Sequence, residues 1–410
     1  MSPSNSTHAR PLHRLRSRSA YKVTVAISAT TATTLPVFLT GALAVQIRHG
    51  LHFGVDGLGL LVAAFFAAAA LVSFGAGSVA ERLGGERIMR VCALASALVV
   101  GSIALFAHSF ETMLVLLVLA GLINGSMQPA VNLFVIGAVP AHRRGFALGI
   151  KQAAIPVSTL FAGLSVPIIA LTVGWHFAYA LAAVVALVVF VAVPPGKSTG
   201  GAGVAAKEGR RVSLPLAPIG TLTVGMALGA GTANALGAFL VENAVHAGWS
   251  PGAAGLLVAL GSVSGLSSRL LGGHLADRRG GRHLPVIAGM LLLGAAGYAF
   301  LASGASWLIL PATIVCYAAG WGWNGVFNFA IIVNHPGAEG RATGMTQAGA
   351  FVGSVAGPLL FGYAVAHFGF SPAWWAATLS ALAAAGAMMA GRKLLLREKA
   401  RRSLGGVVPG

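Results

Sequence analysis

The sequence predicts an all-α polytopic membrane protein with twelve transmembrane helices. Composition, the recurrence of long apolar segments and the placement of basic residues support this fold class. Of 410 residues, 56% are hydrophobic and only 9% are charged. A soluble domain carries about 25% charged residues, so water cannot be the main solvent of this chain.

Apolar segments of helical length recur along the whole chain. Each is long enough to cross a hydrocarbon core of about 30 Å at about 1.5 Å per residue. We predict spans at residues 22–46, 57–80, 88–107, 111–138, 146–171, 174–193, 216–241, 251–275, 284–303, 306–333, 342–367 and 371–391.

Basic residues separate the two sides of the predicted membrane. With both termini on one side, that side receives 24 of the 27 Lys and Arg residues, whereas the opposite loops contain only Arg48. The positive-inside rule then predicts a multi-pass protein of the cytoplasmic membrane with both ends cytoplasmic. The net charge of +18 is explained by topology and by attraction to anionic lipid headgroups, and it does not require a nucleic-acid partner.

The predicted spans form two sets of six. Residues 194–215 are rich in Gly, Pro and charge and predict a flexible cytoplasmic linker. The predicted organisation is therefore a basic N-terminus at 1–21, a six-helix bundle at 22–193, the linker at 194–215, a second bundle at 216–391 and a basic tail at 392–410.

Internal repeats relate the two bundles. Residues 77–87 (GSVAERLGGER) and 273–282 (GHLADRRGGR) form similar charged hairpins 196 residues apart. Similar pairs occur at nearly the same offset: 145–153 with 340–348, and 174–175 with 369–370. Repetition of this kind indicates a duplicated architecture.

These residues resemble the major facilitator superfamily. Both hairpins match the family signature Gly-x-x-x-Asp-Arg-x-Gly-x-Arg; Glu81 occupies the usual Asp position in the first copy, and Asp277 makes the second copy the closer match. Spans 1, 5 and 7 are most similar to the cyanate-permease-type branch. The resemblance covers about residues 20–395, and it implies nested inverted repeats and a central site that is exposed alternately to each side.

The hairpins also predict a cytoplasmic gate. An acid at the end of a span can accept hydrogen bonds from neighbouring Arg residues and from a helix N-terminus, and this cluster would hold two helices together in one state only. The alternative is that these residues determine topology alone. The candidate gating residues are Glu81, Arg82, Arg87, Asp277, Arg278 and Arg282.

Polar side chains within the spans identify the candidate solute site. An unpaired amide facing lipid costs several kcal/mol, and the intramembrane Asn and Gln residues all belong to spans 1, 4, 5, 7, 10 and 11. Hydrogen bonding between helices is the alternative explanation. The candidate solute-binding residues are Lys151, Gln152, Asn124, Gln128, Asn234, Asn324, Asn328, Gln347, Trp323 and Thr34.

Charged residues within or beside the spans suggest the solute class. Lys151 lies about six residues into span 5, where a cation is costly unless it faces water, a partner or a solute; its long side chain could instead reach the headgroups. Arg269 lies in span 8 above Asp277, where structural pairing and anion binding are both possible. Glu242 is the candidate proton-coupling carboxylate, and a solvated helix end is its alternative role.

The sequence thus predicts a monomeric secondary transporter that takes up a small polar anion together with protons. Span 5 lacks the Gly-x-x-x-Gly-Pro-x-x-Gly-Gly motif of drug antiporters, which favours uptake over the alternative, efflux of a drug or metabolite. No catalytic constellation, metal site or cofactor is predicted, because the 12 histidines are scattered and no nucleophile–base pair lies within a span. A membrane enzyme and a non-transporting sensor are therefore the less favoured classes.

Overall fold

A computed structural model of the chain describes residues 9–138, 151–195, 214–278, 283–336 and 338–405. Side chains are described for 20–137, 151–195, 214–271, 283–336 and 338–401. The α-helices in chain order are α1 Ala9–Ala42, α2 Ala44–Leu51, α3 Val55–Leu83, α4 Gly85–Phe106, α5 Phe110–Ala138, α6 Ala154–Ser165, α7 Trp175–Ala192, α8 Leu216–His246, α9 Pro251–Arg278, α10 His283–Ala302, α11 Ile309–Val315, α12 Asn324–Asn334, α13 Glu339–Phe368 and α14 Phe370–Gly405.

Helices dominate because a backbone in hydrocarbon must satisfy its hydrogen bonds within its own segment. Among the described residues, 10 helices are long and apolar enough to cross a membrane. Large apolar side chains such as Leu71 and Phe74 are 75% and 80% exposed, as expected for groups that contact lipid rather than water.

The other two predicted spans, 5 and 10, contain interruptions. In span 5, the short helix α6 continues as a π-helical segment, Val166–Ala170; the first residues of this span, 146–150, lie outside the described part of the chain. In span 10, the π-helical segment Cys316–Trp321 separates α11 from α12. Interruptions of this type are often located beside functional sites.

The terminal helices are longer than predicted. Helix α1 begins at Ala9, well before the predicted start at residue 22, and α14 continues through the predicted tail to Gly405. Leu, Arg, Lys and Glu between 392 and 399 are all favourable helix formers, so nothing in the sequence stops α14 where the apolar run ends. The predicted linker lies almost entirely outside the described residues.

The helices form two six-span halves. In the first, α3 packs against α5, and α4 packs against α5 and α7. In the second, α8 packs against α13 and α14, and α10 against α14. Among the described residues, the main helix pairs that join the halves are α1 with α8, α3 with α13, and α6 with α9.

Glycines allow the closest approaches between the halves. A Cβ added to Gly41 of α1 would meet the carbonyl oxygen of Gly237 and lie 2.9 Å from Ala238 Cα in α8. A Cβ on Gly59 of α3 would likewise meet the carbonyl oxygen of Pro358 in α13. Backbones that touch so closely leave no room for a side chain, so the two halves are tightly closed at this end.

At the other end, the charged hairpin of the first half is open. Glu81, Arg82 and Arg87 are exposed and form no ion pair with another described side chain. Asp277 and Arg278 lie in α9, but their side chains are outside the described set, and Arg282 is outside the described residues. The gate therefore stays a prediction.

Candidate functional site

Lys151 is the charged centre of the candidate site. Its side chain is only 5% exposed, and its Nζ donates hydrogen bonds to Gln128 Oε1 at 2.8 Å and to Asn132 Oδ1 at 2.9 Å. Residues i and i+4 of a helix lie on one face, which explains why α5 can present both amides to the same ammonium. The side chain is therefore buried inside the first half and does not extend to the membrane surface.

The described partners of the Lys151 ammonium are neutral oxygens. None of the described carboxylates forms an ion pair with it. Two amide dipoles solvate an ammonium but do not neutralise it, and an uncompensated buried charge is costly. The arrangement leaves a positive potential that an anion would satisfy.

Asn124 and Thr34, two other predicted solute ligands, bind each other. The Asn124 amide donates to Thr34 Oγ1 at 3.0 Å and to Thr33 Oγ1 at 3.3 Å. Thr34 Oγ1 in turn donates to the backbone oxygen of Thr30. These bonds join α5 to α1, so in this conformation the pair serves helix packing.

Arg269 approaches the same region from the second half. Its Nη1 donates to the backbone oxygen of Gln152 at 2.6 Å, and its Nη2 lies 3.4 Å from the backbone oxygen of Trp321. The predicted ligand Gln152 thus contributes its carbonyl to this contact, one residue after Lys151. The sequence also suggested that Arg269 could pair with Asp277, but the described partners of its guanidinium are backbone carbonyls.

The predicted ligands of the second half differ in their environments. The Asn234 amide donates to Ser354 Oγ at 3.0 Å and thereby joins α8 to α13. Asn324 Oδ1 is buried and has no hydrogen-bond partner among the described groups. Asn328 is half-buried and Gln347 is exposed.

Trp323, another predicted solute ligand, packs in the hydrophobic core of the second half in this conformation. Its indole is fully buried, and a Cβ on Gly229 of α8 would lie 2.5 Å from its ring, which shows how closely the two pack. The indole Nε1 donates to the backbone oxygen of Gly320 at 2.9 Å. The Trp323 ring thus fills the space beside the helix backbone that Gly229 leaves free because it has no side chain.

Glu242 is not a solvated helix end, as its alternative role required. Helix α8 continues to His246, and Glu242 is buried within it at 8% exposure. Its Oε1 lies 2.9 Å from Arg48 Nη1. The ion pair joins the two halves at the closed end.

No group of three or more His, Cys, Asp or Glu residues in the described part of the chain could hold a metal ion. Cys92 and Cys316 are both buried and free. The described side chains of the candidate site are amides, hydroxyls and two cations.

Comparison with known proteins agrees with this architecture. The sequence pattern of the Major Facilitator Superfamily matches residues 24–339 and 219–406. A hexuronate transporter of Bacillus subtilis (strain 168) is 24% identical over 142 residues, which cover 35% of this chain and 33% of that protein. An uncharacterised MFS-type transporter of Mycobacterium tuberculosis is 27% identical over 315 residues, covering 71% of this chain and 67% of that protein. The chain thus spans only about a third of the hexuronate transporter.

Solved structures show the same fold. A bacterial homologue of the human lysosomal transporter Spinster, inward-facing and unoccupied, superposes with a TM-score of 0.66 at 16% identity, covering 92% of this chain and 96% of that one. The nucleoside transporter NupG gives a TM-score of 0.67 at 13% identity, covering 90% and 99%. None of these matches identifies the cyanate-permease-type branch, which stays a prediction. The chain belongs to the major facilitator superfamily, as a multi-pass membrane transporter of small-molecule solutes and not an enzyme.

Proposed function

We propose that this transporter takes up a small carboxylate-bearing solute together with protons, by alternating access. The observation that carries the proposal is the buried ammonium of Lys151, whose described partners are two neutral amide oxygens. An anion that reaches this group gains a charge-assisted contact and relieves an uncompensated buried charge. A lipophilic cation would add repulsion instead.

One relative supports the solute class. The matched protein of Bacillus subtilis is a transporter of hexuronates, which are carboxylate-bearing sugars. The match covers a third of that protein, so we use a hexuronate as the first probe of the class. Neutral Asn and Gln side chains around Lys151 suit the hydroxyl groups of such a solute, because amides can both donate and accept.

Proton coupling is proposed to act through Glu242. As a carboxylate it pairs with Arg48 across the closed end of the halves. Protonation would remove the charge attraction and weaken that closure, so uptake of the proton and opening of this end would be linked. His49 beside Arg48, His246 one turn beyond Glu242, and Asp56 at the start of α3 are the other titratable groups of these helices at this end.

We further propose the orientation that the basic residues predict. Both termini would be cytoplasmic, the end that Arg48 and Glu242 close would face outward, and the open hairpin end would face the cytoplasm. The hairpin residues Glu81 and Asp277 would form the cytoplasmic gate in the opposite state. We expect the transporter to act as a monomer, because each chain contains both halves.

A ligand panel tests the proposed function. The purified full chain in detergent is heated with D-glucuronate, with its neutral counterpart D-glucose, and with tetraphenylphosphonium as a lipophilic cation. A ligand that binds only the folded state stabilises it by about 2.7 kcal/mol at 100 times its Kd. We expect stabilisation by D-glucuronate alone. Stabilisation by glucose, or by none of the three ligands, would overturn the proposal. Stabilisation by the lipophilic cation would also overturn it and would favour drug efflux instead.

A further inference from the structure

One pair of helices keeps the two halves in contact along most of its length. Helices α6 and α9 run antiparallel, and Gly163 of α6 packs beside Val258 and Ala259 of α9. One turn further along α6, Ser262 Oγ donates to Thr159 Oγ1 at 2.7 Å. Two turns beyond that, Arg269 donates to the carbonyl of Gln152.

The pair α3 and α13 behaves differently. It is closed at Gly59, as described above, but a Cβ added to Gly77, about five turns further along the same face of α3, would meet no heavy atom within 4 Å. The Arg269–Gln152 contact therefore joins the halves on the side of α6 and α9, at a level of the membrane where α3 and α13 are separated on the other side.

The guanidinium of Arg269 has donors that its described partners leave unused. Its described partners are two carbonyl oxygens, at 2.6 Å and 3.4 Å, whereas a guanidinium has five N–H donors. The side chain is partly exposed, and no described carboxylate pairs with it. Its stem packs beside Gly325, with Cγ 3.5 Å from the position of an added Cβ, and the unpartnered Oδ1 belongs to the preceding residue, Asn324.

Arg269 thus reaches, from the second half, the residue that follows Lys151, and the described partners of both cations are neutral oxygens. An anion bound beside both would gain a charge-assisted contact from each half. A guanidinium holds a planar carboxylate through two parallel hydrogen bonds, which an ammonium cannot do.

We propose that Arg269 is the second cationic ligand of the solute, and that the solute carboxylate replaces the Gln152 carbonyl as its partner. Solute binding then breaks a bond between the halves, so occupancy is linked to their movement. This inference rests on the proposed function. The inference adds that Arg269 selects a carboxylate, and that its contact with Gln152 links solute binding to movement of the second half.

The first test measures the Kd of D-glucuronate for the full chain and three variants. Loss of a charge-assisted bond should weaken binding in Arg269→Gln by about 30-fold, and Arg269→Lys should retain part of the affinity because it keeps the charge without the fork. Arg90→Gln is the matched control, because the Arg90 guanidinium also donates to a backbone carbonyl, that of Val193 at 3.1 Å, but within one half.

The second test measures movement of the halves by spin labels at Leu83 and Arg341, which lie at the open ends of α3 and α13 and are both exposed. Cys92 and Cys316 are replaced by Ser in this background. We expect Arg269→Gln to shift the distance distribution without ligand, and Arg90→Gln to leave it unchanged. If Arg269→Gln shifts the distance distribution but keeps the D-glucuronate affinity of the unmodified chain, Arg269 only holds the halves together and the proposal is overturned.

The outcomes separate this inference from the proposed function. If the unmodified chain binds no D-glucuronate, both fail. If it binds D-glucuronate in a Lys151-dependent manner while Arg269→Gln keeps the original Kd, only the role of Arg269 is refuted.

Discussion

Replacement of Lys151 by methionine removes the charge of the candidate site and keeps most of its volume. Methionine is unbranched and flexible, so it fills the space of the lysine stem. The change leaves Gln128 Oε1 and Asn132 Oδ1 without the donor that they share in the structure. Two opposing effects on the folded state follow.

The net effect on stability is expected to be small. A buried ion costs several kcal/mol of desolvation, and two hydrogen bonds from a charged group return about 1.5–3 kcal/mol each. These contributions nearly cancel in the empty protein. We therefore expect the free energy of unfolding of Lys151→Met to differ from that of the unmodified chain by no more than about 2 kcal/mol, because the two amides can rotate toward other donors.

The effect on solute binding is expected to be large. A carboxylate loses a charge-assisted contact of about 1.5–3 kcal/mol, which corresponds to a Kd that is raised about 10- to 150-fold. The assay is D-glucuronate binding to the purified full chain, followed by flux in proteoliposomes. Lys151→Arg keeps the charge and should retain part of the activity.

A matched control is Lys399→Met. The Lys399 ammonium also donates to an asparagine oxygen, that of Asn334 at 3.3 Å, but its side chain is exposed. This substitution should change neither stability nor binding, because exposed pairs contribute little. Equal affinity of Lys151→Met and the unmodified chain would refute the reasoning, since the buried ammonium would then serve only to join α5 to the segment that follows residue 150.

Two further predictions concern the closed end. Glu242→Gln should lower the free energy of unfolding by about 1–3 kcal/mol, because it leaves the half-buried Arg48 unpaired; a double-mutant cycle with Arg48→Gln measures this. The same substitution should remove the pH dependence of uptake, which is measured as flux at several pH values. Gly41→Ala places a methyl group 2.9 Å from Ala238 Cα, so we expect about 1–3 kcal/mol of overpacking cost and slower transport, measured by thermal unfolding and flux. Gly75→Ala, which meets no heavy atom within 4 Å, is its control and should stabilise helix α3 by up to about 1 kcal/mol.

Most of the fold follows from the sequence because the bilayer leaves few alternatives. Long apolar runs must be helical where no water satisfies the backbone, so the apolar part of each span could be located, although α1 and α14 extend well beyond their predicted bounds. The interruption at Cys316–Trp321 could not be placed, because a π-helical turn depends on what packs around it. Gly294 of α10 approaches Gly320 there, and a Cβ on Gly294 would lie 2.5 Å from Gly320 Cα.

The candidate site was only partly predictable. Asn124, Gln128 and Asn132 recur at four-residue spacing and so share one face of α5, and Lys151 donates to the last two of them. Asn132 was not among the predicted ligands because it lies near the end of its span. The partner of Arg269 had no signal at all, since a backbone carbonyl is present at every residue and only the packing of α6 on α9 selects that of Gln152.

The contrast among three cations of this chain is the strongest physical argument for an anionic solute. Arg48 lies at the closed end and has Glu242 as a partner, which is how a structural charge between two helices is normally compensated. Lys151 and Arg269 lie deeper, and their described partners are neutral oxygens. If these two cations were purely structural, we would expect each to have an acidic partner or to be replaced by an uncharged residue. The described residues supply no acidic partner for either, so we expect the negative charge to arrive with the solute and to leave with it.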